Sequence, residues 1–510
     1  MRIDHYLHRS AERHAGKTAL VAGETRLNYA ELKTMSEAFA AALIVRGATP
    51  GDRVVLLMDN GWRMAVAIFG CWMAGAVVCP VNPSTKEARL SQILDSSTPF
   101  AVVAEARLEK MVSDTAGSSE LLRIVSGVSN PSGDGIDFDA LLEQAHVALP
   151  QNLPETDLAV IIYTSGSTGE PKGVMLAHDN LDAAVRSITS YLGNTSEDIL
   201  LGVLPLSFGY GLNQLLSSVF VGGTLVIEKS FAYPHLIFER IREERITGFA
   251  LVPTMLSIMM QTRDLSQNLF ESLRYVTAAA APLPTVHGDW LRTFLPHVGL
   301  FRMYGQTECT RISFLPPEDL DRKRDSVGIA IPGTSTEVVD EMGDSVAPGT
   351  TGELVVSGPH VMRGYWRNEV ATARALRTDA ATGRMRLHTG DLFTCDAEGY
   401  LTFVARKDDI IKSRGEKVAP QAVEAVLQTM PGVSDALVIG VAHEVFGQAI
   451  KAIVIAPGAA ITEKDVMRHC ARHLEVHMVP TIVEFRDFLP TTDTGKVSRR
   501  LAAQDTENNR

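Results

Sequence analysis

The sequence predicts an α/β protein: a large N-terminal domain of two α/β sheet layers plus a small β-barrel subdomain, followed by a small α+β C-terminal domain. Up to about residue 400, helical stretches alternate with short apolar strands, as is typical of parallel sheets covered by helices. From Gly328 the chain changes to short strands separated by Gly, Pro and Asp turns, which indicates a small antiparallel barrel. Near 405–412 the pattern changes again, to that of a compact α+β unit. The length of 510 residues also predicts more than one domain.

The predicted elements follow in chain order. Apolar strands are expected at 54–58, 158–164, 224–228 and 248–253, and the barrel at about 328–400. The C-terminal part is expected to form helix 420–430, strands 433–441 and 449–456, helix 462–474 and strand 481–487. We place the boundary at Asp408, which gives domains of 1–407 and 408–510. Residues 405–510 hold equal numbers of basic and acidic side chains, so the net charge of −12 belongs to the preceding residues.

The segment 64–81 has the length of a membrane span, because it holds 18 residues without a charge. A different interpretation is favoured. Gly75 is a signal for the end of a helix, and AVVCPV at 76–81 follows it as a short buried strand that ends at Pro83. We therefore predict a buried helix–turn–strand and no membrane span.

Composition limits the partners and the compartment. The negative net charge disfavours binding to nucleic acid or to an anionic membrane. The five cysteines form no CxxC pair and no zinc-type spacing with histidine, which indicates reduced thiols and a cytoplasmic location. The first residues lack the apolar core of a signal peptide. A homodimer is left open.

The stretch YTSGSTGEPKG at 163–173 follows a predicted strand and is rich in glycine and hydroxyl side chains. Such a loop can present backbone N–H groups and hydroxyls to a phosphate chain, and glycine lets the backbone approach closely. It is neither a Walker P-loop nor a GxSxG nucleophile elbow, because the spacing differs from both. A flexible surface turn is the alternative, and it leaves the combination of hydroxyls, glycines and a lysine unexplained.

Five motifs, in order, resemble those of the adenylate-forming superfamily, which comprises acyl-CoA synthetases, nonribosomal adenylation domains and luciferases. Besides the loop, the chain carries MYGQTE at 303–308, TGD at 389–391, RKDDIIKSRGEKVAP at 406–420 and PTTDTGKVSR at 490–499. The resemblance covers nearly the whole chain and is greatest to AMP-forming acyl-CoA ligases. It implies that 1–407 is an adenylation domain and that 408–510 is a mobile domain.

The resemblance implies ATP-dependent activation of a small-molecule carboxylic acid to acyl-AMP, with release of pyrophosphate, and then transfer to the thiol of CoA. The phosphopantetheine arm of a carrier protein is an alternative acceptor, because it ends in the same thiol. No enzyme nucleophile is needed, in agreement with the absence of a recognisable Ser/His/Asp or Cys/His constellation. A luciferase-like oxygenase has no support in the sequence. A catalytically silent nucleotide-binding protein is disfavoured by the intact motif residues Lys496, Glu308 and Asp391.

The resemblance also implies residue roles in nucleotide binding. Lys496, Thr164 and Glu308 would be catalytic: Lys496 would stabilise charge during adenylation, and Glu308 would hold Mg²⁺. Tyr304 would stack on adenine. ATP and AMP would be bound by the loop and the other motifs through Thr164, Ser165, Gly166, Ser167, Thr168, Gly169, Lys172, Ala279, Ala280, Tyr304, Gly305, Thr307, Asp391 and Arg406.

The remaining roles concern the ribose, the domain movement and the second step. Asp391 and Arg406 would contact the ribose of the nucleotide. Asp408 would be the hinge between the two half-reactions. Gly415, together with Arg414, would line the tunnel for the thiol, where any larger side chain would narrow the passage.

The acid pocket is predicted at Phe208, Gly209, Tyr210, Ala279, Met303 and Arg311. Phe208 stands where many acyl-CoA synthetases have His. Gly209 stands where amino-acid-activating domains have Asp, so an α-amino acid is disfavoured, because its ammonium would be buried without a partner. Ala279 and Ala280 replace two glycines of the family pattern and would narrow the pocket floor. Arg311 can serve a polar or second acidic group on the substrate, but a surface ion pair is the favoured role.

Overall fold

The computed structural model describes residues 1–116, 121–129, 131, 133–143, 147–165, 171–379, 382–413, 416–443, 447–458, 460–491 and 497–508. Packing divides the chain into two compact units, Met1–Thr336 with Val356–Leu387 and Glu337–Val355 with His388–Arg510. This division differs from the expected one at Asp408, because part of the expected barrel groups with the C-terminal residues. The boundary at Asp408 stays a prediction.

The helices match the alternation expected from the sequence. They cover Asp4–His14, Tyr29–Val45, Trp62–Met73, Glu87–Ser97, Glu109–Ala116, Phe138–Leu142, His178–Leu192, Gly209–Val221, Pro234–Glu243, Pro253–Gln261, Thr285–Phe294, Glu369–Ala375, Pro420–Gln428, Glu463–His473 and Arg499–Asn508. Short 3-10 helices occur at Ala106–Leu108, Gln267–Phe270, Pro317–Asp319, Lys407–Asp409 and Val476–Met478. Local sequence explains several of the helix starts. Asn28 and Glu31, for example, form a reciprocal capping box before Tyr29–Val45.

The first sheet has a parallel centre with antiparallel edges. Its strand order is Ile329–Ala330, Ser313–Leu315, Gly299–Tyr304, Tyr275–Ala278, Gly248–Leu251, Ile199–Gly202, Thr224–Ile227, Thr18–Ala22 and Thr25–Asn28. The strands from Gly299–Tyr304 to Thr18–Ala22 are parallel. The carboxyl end of Tyr275–Ala278 leads into AAAPL at 279–283, which contains Ala279 and Ala280, and the carboxyl end of Gly299–Tyr304 leads into the YGQTE motif. This edge of a parallel sheet is where ligands of open α/β folds bind.

The second sheet carries the glycine-rich loop. Its strand order is Gly364–Tyr365, Pro171–Ala177, Leu158–Ser165, Val77–Pro80, Arg53–Leu57, Ala101–Glu105, Leu122–Ser126 and Ile136–Asp137. Pro171–Ala177 is antiparallel to both of its neighbours, Leu158–Ser165 and Gly364–Tyr365. The loop therefore joins two antiparallel strands, and the next helix starts at His178. No helix N-terminus follows the loop directly.

Two further sheets complete the fold. One has the order Ser335–Val339, Gly352–Ser357, Met385–Cys395 and Leu376–Thr378, with Leu401–Arg406 also pairing with Met385–Cys395. The other has the order Glu416–Val418, Ile411–Ser413, Gly447–Ile455 and Asp435–His443, with Ile482–Phe485 parallel to Gly447–Ile455. The first of these sheets is antiparallel and lies where the sequence predicts a small barrel, and the second belongs to the predicted α+β tail.

The apolar segment 64–81 lies inside the protein. Helix Trp62–Met73 ends before Gly75, whose φ is +79°, and strand Val77–Pro80 follows. Trp72 is fully buried and donates a hydrogen bond from Nε1 to the Ala159 carbonyl at 2.7 Å. The predicted helix–turn–strand is therefore confirmed. Within the described ranges, no helix has the length and apolar character that crossing a membrane requires.

The five cysteines form no disulfide. Cys71, Cys79, Cys309 and Cys470 are buried, and Cys395 is half-buried. Cys71 and Cys79 lie in the helix–turn–strand described above, where they pack as small apolar side chains.

Candidate active site

The ends of the glycine-rich loop are held in register by the sheet. Thr164 pairs with Lys172 across the two antiparallel strands, and Ser165 pairs with Pro171. The Thr164 hydroxyl lies 3.4 Å from the Lys172 carbonyl oxygen. Both side chains are half-buried. Of the predicted loop ligands, Gly166, Ser167, Thr168 and Gly169 and the side chain of Ser165 lie outside the described residues.

The Lys172 ammonium lies over an aromatic ring that the sequence did not single out. Nζ is 5.6 Å from the centroid of the Tyr365 ring. Tyr365 reaches this position because strand Gly364–Tyr365 pairs with the outer strand of the hairpin, and the Trp366 amide donates to the Gly173 carbonyl at 2.7 Å. In the described part of the chain, no carboxylate lies within ion-pair distance of Lys172. Its charge is therefore available to an anionic ligand.

Tyr365 also joins the loop to the YGQTE motif. Its hydroxyl donates to Glu308 Oε1 at 2.9 Å, and the Met362 amide donates to the Glu308 carbonyl at 2.8 Å. Glu308 is half-buried, and its Oε2 has no hydrogen-bond partner among the described residues. Nor do these residues contain a cluster of three or more His, Cys, Asp or Glu that could hold a metal by itself. A cation at Glu308 would need further oxygens from a ligand.

The adenine side of the predicted site combines tight packing with a strained backbone. Tyr304 ends strand Gly299–Tyr304 and accepts a hydrogen bond from Gln306 at 3.2 Å. A side chain at Gly305 would meet the Thr310 carbonyl oxygen at 2.6 Å, so glycine is required there. Thr307 is half-buried beside it. Ala279 is buried, whereas the exposed Ala280 has a φ of +75°, a left-handed conformation that disfavours side chains other than glycine.

Of the predicted acid-pocket residues, Tyr210 and Met303 are held by hydrogen bonds to neighbouring elements. Phe208 precedes helix Gly209–Val221, which places Tyr210 in its first turn. The Tyr210 hydroxyl lies 2.7 Å from Thr277 Oγ1, two residues before Ala279. Met303 Sδ accepts a hydrogen bond from the Tyr191 hydroxyl at 3.1 Å.

Arg311 packs against Tyr210, and its predicted surface ion pair is wrong. The residue is 3% exposed, and its guanidinium carbon lies 4.9 Å from the centroid of the Tyr210 ring. Among the described residues, no carboxylate lies within 4 Å of it, and its Nε has no hydrogen-bond partner. Sequence alone did not reveal this burial, because an isolated Arg after a turn is usually exposed.

The TGD motif lies on a strand of the second unit. Asp391 is buried within Met385–Cys395 and pairs in register with Arg406, whose Nε is 3.2 Å from Asp391 Oδ1. The preceding Gly390 has a φ of +70°. The two predicted ribose ligands therefore lie side by side.

A carboxylate that the sequence did not indicate supports this motif. Glu353 accepts hydrogen bonds from the Gly390 amide and from Lys407 Nζ, both at 3.1 Å, and His388 Nδ1 lies at 3.5 Å. Burial raises the pKa of Glu353, but the hydrogen bonds from His388 and Lys407 outweigh it and lower the pKa to about 2. Glu353 is thus ionised and holds together the motif and the segment before Asp408.

The other predicted residues of this unit differ in how far they can be placed. Asp408 is exposed in the 3-10 helix Lys407–Asp409. Lys496, Arg414 and Gly415 lie outside the described residues. Three residues after Lys496 in the sequence, Arg499 begins helix Arg499–Asn508 and donates from Nη2 to both oxygens of Glu424 at 2.6 Å. Its Nη1 is also 3.2 Å from Asp409 Oδ2.

Comparison with known proteins identifies the family. The family model described as "AMP-binding enzyme" matches residues 7–366, and the model of the AMP-binding enzyme C-terminal domain matches 422–496. The chain belongs to the AMP-binding enzymes. The long-chain-fatty-acid–CoA ligase of Escherichia coli O157:H7 is 32% identical over 96% of this chain and 92% of its own. The indoleacetate–CoA ligase of Aromatoleum aromaticum is 33% identical over 99% of both chains.

The fold agrees with this family. The crystal structure of ATP-bound MatB from Rhodopseudomonas palustris superposes with a TM-score of 0.90 and 28% sequence identity, over 100% of both chains. As an AMP-binding enzyme with these relatives, the chain is an AMP-forming acid–thiol ligase. The predicted family, fold class and enzyme class are confirmed.

Proposed function

We propose that this AMP-binding enzyme activates a carboxylic acid with ATP and transfers the acyl group to the thiol of CoA through the residues described above. The observation that carries the proposal is the Lys172–Tyr365–Glu308 arrangement. One tyrosine lies 5.6 Å from an ammonium and donates to a carboxylate at 2.9 Å, yet the two charges do not form an ion pair with each other. A polyphosphate with its divalent cation has the charges that such a pair of groups would bind.

Lys172 and Thr164 would hold phosphate oxygens at the ends of the loop, and Glu308 would hold Mg²⁺. The free Oε2 of Glu308 fits this metal, because Mg²⁺ usually takes one or two carboxylates and completes its shell with water and phosphate oxygens. When bound, Mg²⁺ would neutralise charge on the leaving pyrophosphate. Tyr365 would orient Glu308 by its hydrogen bond.

The acid would lie against Tyr210, Met303 and Ala279. Tyr210 is fixed by Thr277, so its ring forms a rigid wall. Gly209 at the entrance carries no carboxylate, which supports an acid without an α-ammonium group. The relatives named above are CoA ligases of long-chain fatty acids and of indoleacetate, in line with an apolar wall formed by Tyr210 and Met303.

In the second unit, Asp391 and Arg406 would contact the ribose, and Lys496 would act in adenylation. Arg414 and Gly415 would line the thiol tunnel after rotation at Asp408. CoA is the favoured acceptor because the relatives are CoA ligases. A carrier protein stays the alternative acceptor and a homodimer an open possibility. Five cysteines that form no disulfide support a reducing compartment, so the cytoplasm is the proposed location.

A panel of carboxylic acids with ATP and Mg²⁺, scored by pyrophosphate release and then repeated with CoA, tests the proposal. Lys172→Ala and Glu308→Gln should each lower adenylation about 100-fold, because each removes a charge that acts on the phosphates. Lys33→Ala and Glu37→Gln, which remove the members of a surface pair with Nζ–Oε1 at 3.3 Å, are the matched controls and should leave the rate unchanged. Absence of pyrophosphate with every acid would favour the catalytically silent alternative.

Lys496→Ala separates the two half-reactions. Adenylate formation should be lost, whereas thioester formation from supplied acyl-adenylate should survive, because Lys496 would engage in the first step alone. Equal loss in both single-turnover assays would contradict this role.

Asp408→Pro tests the hinge. Pro fixes φ at about −65° and should hinder rotation. The thioester step should slow more than adenylation, and wild-type single-turnover rates for both would remove Asp408 from this role.

A further inference from the structure

Arg311 is a buried cation for which the described part of the chain supplies no counter-charge. It is 3% exposed, no described Asp or Glu lies within 4 Å, and its Nε has no hydrogen-bond partner. A guanidinium stays protonated at any physiological pH, so the residue cannot become neutral by losing a proton. Burying such a charge is unfavourable unless something else compensates it.

The groups around Arg311 do not provide a negative charge. Burial raises the pKa of Tyr191 to about 12, although Arg311 opposes this, and burial likewise raises the pKa of Tyr210. Both tyrosines are therefore neutral. His360, which contacts the Arg311 backbone, has a pKa lowered to about 4 by burial and is neutral as well. The ring of Tyr210 gives the guanidinium a cation–π contact, which compensates its charge in part.

A second buried arginine of the same unit shows what a structural solution looks like. Arg302 is 8% exposed, and its Nη1 donates to the carbonyl oxygens of Ser326, at 3.2 Å, and of Arg324. The side chain of Arg311 has no such carbonyl acceptor among the described residues. Nε of Arg302 also lacks a hydrogen-bond partner, so the two residues differ in the backbone oxygens that accept from Arg302 Nη1.

Arg311 faces the acid side of the site. Its contact is with Tyr210, which is anchored to Thr277 on the strand that leads to Ala279. The phosphate-side charges, Lys172 and Glu308, contact Tyr365 instead. An anion on the acid substrate is therefore a better candidate partner for Arg311 than the phosphates of ATP.

We propose that the acid substrate carries a second carboxylate and that Arg311 binds it, with Tyr210 covering one face of the guanidinium. This inference rests on the proposed function and narrows its substrate class to dicarboxylic acids. A carboxylate matches the planar fork of Arg with two parallel hydrogen bonds. A hydroxyl group would form hydrogen bonds but would leave the buried charge uncompensated.

The experiment compares matched acids that differ at the far end. One set is aliphatic and the other is built on benzoate. Each set contains a monocarboxylate, its ω-hydroxy analogue and the corresponding dicarboxylate, and the activity with each acid is measured by pyrophosphate release. The wild type should use the best dicarboxylate with a kcat/KM about 100-fold above the other two members, since a site built for a polar group rejects analogues that lack it. Arg311→Met, of similar volume, should lose that preference and use the monocarboxylate at least as well.

Two controls make the result specific. Arg311→Lys keeps the charge but loses the planar fork, and should retain a reduced dicarboxylate preference. Arg302→Met removes the other buried guanidinium and should leave the preference unchanged. In a binding arm with AMP present, the dicarboxylate should raise the melting temperature of the wild type and not that of Arg311→Met.

The possible failures are distinguishable. Release of pyrophosphate with monocarboxylates and no dicarboxylate preference in the wild type would overturn the inference alone. An equal loss for all acids in Arg311→Met, with its fold intact, would also overturn it, because Arg311 would then serve the reacting carboxylate. If no acid releases pyrophosphate, the proposed function fails, and the binding arm then decides the inference.

Discussion

The charged residues of the candidate site in the first unit differ from two buried or half-buried charged residues of the second unit in whether they are paired. In the first unit, the site residues Lys172, Glu308 and Arg311 have no ion-pair partner among the described residues, although all three are buried or half-buried. In the second unit, Arg499 is held by Glu424 at 2.6 Å and by Asp409 at 3.2 Å. Glu353 is likewise held by Lys407. The paired charges stabilise a fold, whereas the unpaired ones are poised for ligands.

This contrast also changes the role expected of Arg499. Because they closely follow Lys496 in the sequence, Arg499 and Arg500 are both candidates to bind the phosphate of CoA or of a carrier-protein arm, with a solubilising role at the start of the C-terminal helix as the alternative. The bidentate contact with Glu424 indicates a role for Arg499 that neither interpretation predicted, which is to stabilise the fold. The neighbouring Arg500 is exposed and takes no part in the ion pairs of Arg499 with Glu424 and Asp409. It therefore stays the candidate for binding the phosphate.

The largest expected effect is on the free energy of unfolding, and it tests the difference between the paired Arg499 and the unpaired Arg311. Arg499→Met should lower the free energy of unfolding by about 3 kcal/mol, because it leaves Glu424 with an uncompensated, poorly hydrated charge. Arg311→Met should change it by less than about 1 kcal/mol in either direction, since no protein carboxylate loses its partner. Urea unfolding of the three proteins measures both. Equal losses in the two variants would remove the distinction between structural and ligand-binding arginines.

The next effect is a dependence on pH. The pKa of Glu353 is lowered from 4.5 to about 2 in the folded protein. A lowered pKa contributes stability that is present above about pH 4.5 and is lost as the pH falls towards 2, and we expect about 2 kcal/mol from this group. Glu353→Gln should therefore be less stable than the wild type at pH 6. Its free energy of unfolding should also change less with pH between pH 5 and 2.5. Urea unfolding at several pH values measures both. If the free energies of unfolding of the two proteins change in parallel with pH, Glu353 does not have the lowered pKa.

A smaller effect concerns the tyrosine that joins Lys172 and Glu308. Tyr365→Phe removes the hydrogen bond to Glu308 and keeps the ring beside Lys172. The KM for Mg-ATP should rise about tenfold, the value of one hydrogen bond to a charged group. Tyr365→Leu also removes the ring and should raise it further. If both variants bind Mg-ATP as the wild type does, then Tyr365 does not orient the site.

The smallest expected effect is a change in stability that tests whether the backbone at Ala280 is strained. Ala280 has a φ of +75°, and Ala279 is not in this region. Ala280→Gly should stabilise the protein by about 0.5 kcal/mol, because relief of strain exceeds the added freedom of the unfolded chain. Ala279→Gly should destabilise it by a similar amount. Thermal unfolding of the pair tests this opposition, and a common sign would mean that Ala280 stores no strain.

The sequence predicts local elements well, because periodicity and turn signals act over a few residues. Strand 158–164 is observed as Leu158–Ser165, and the helix–turn–strand around Gly75 is observed as expected. The motif spacing likewise identified Glu308, Lys172 and Asp391 as candidates. Pairings between distant segments were not predictable from the residues alone.

The contacts of Tyr365, Glu353 and Arg311, which the sequence did not predict, show why pairings between distant segments were missed. Tyr365 meets Glu308 because a two-residue strand pairs with the loop hairpin, and no local pattern specifies that pairing. Glu353 meets Gly390 for a similar reason, across two strands of one sheet. The burial of Arg311 follows from helix Gly209–Val221 placing Tyr210 over it. Such contacts depend on topology, which a single sequence determines only through the whole fold.

The buried cysteines have a consequence for an enzyme that produces an electrophile and handles a free thiol. Acyl-adenylates acylate thiolates, and CoA can exchange with accessible disulfides. Burial raises the pKa of Cys79 to about 12 and that of Cys470 to about 11, and it raises the pKa of Cys71 as well. These thiols therefore stay protonated and out of reach at neutral pH. The enzyme is thereby protected against self-acylation and against mixed disulfides with its own co-substrate at these positions.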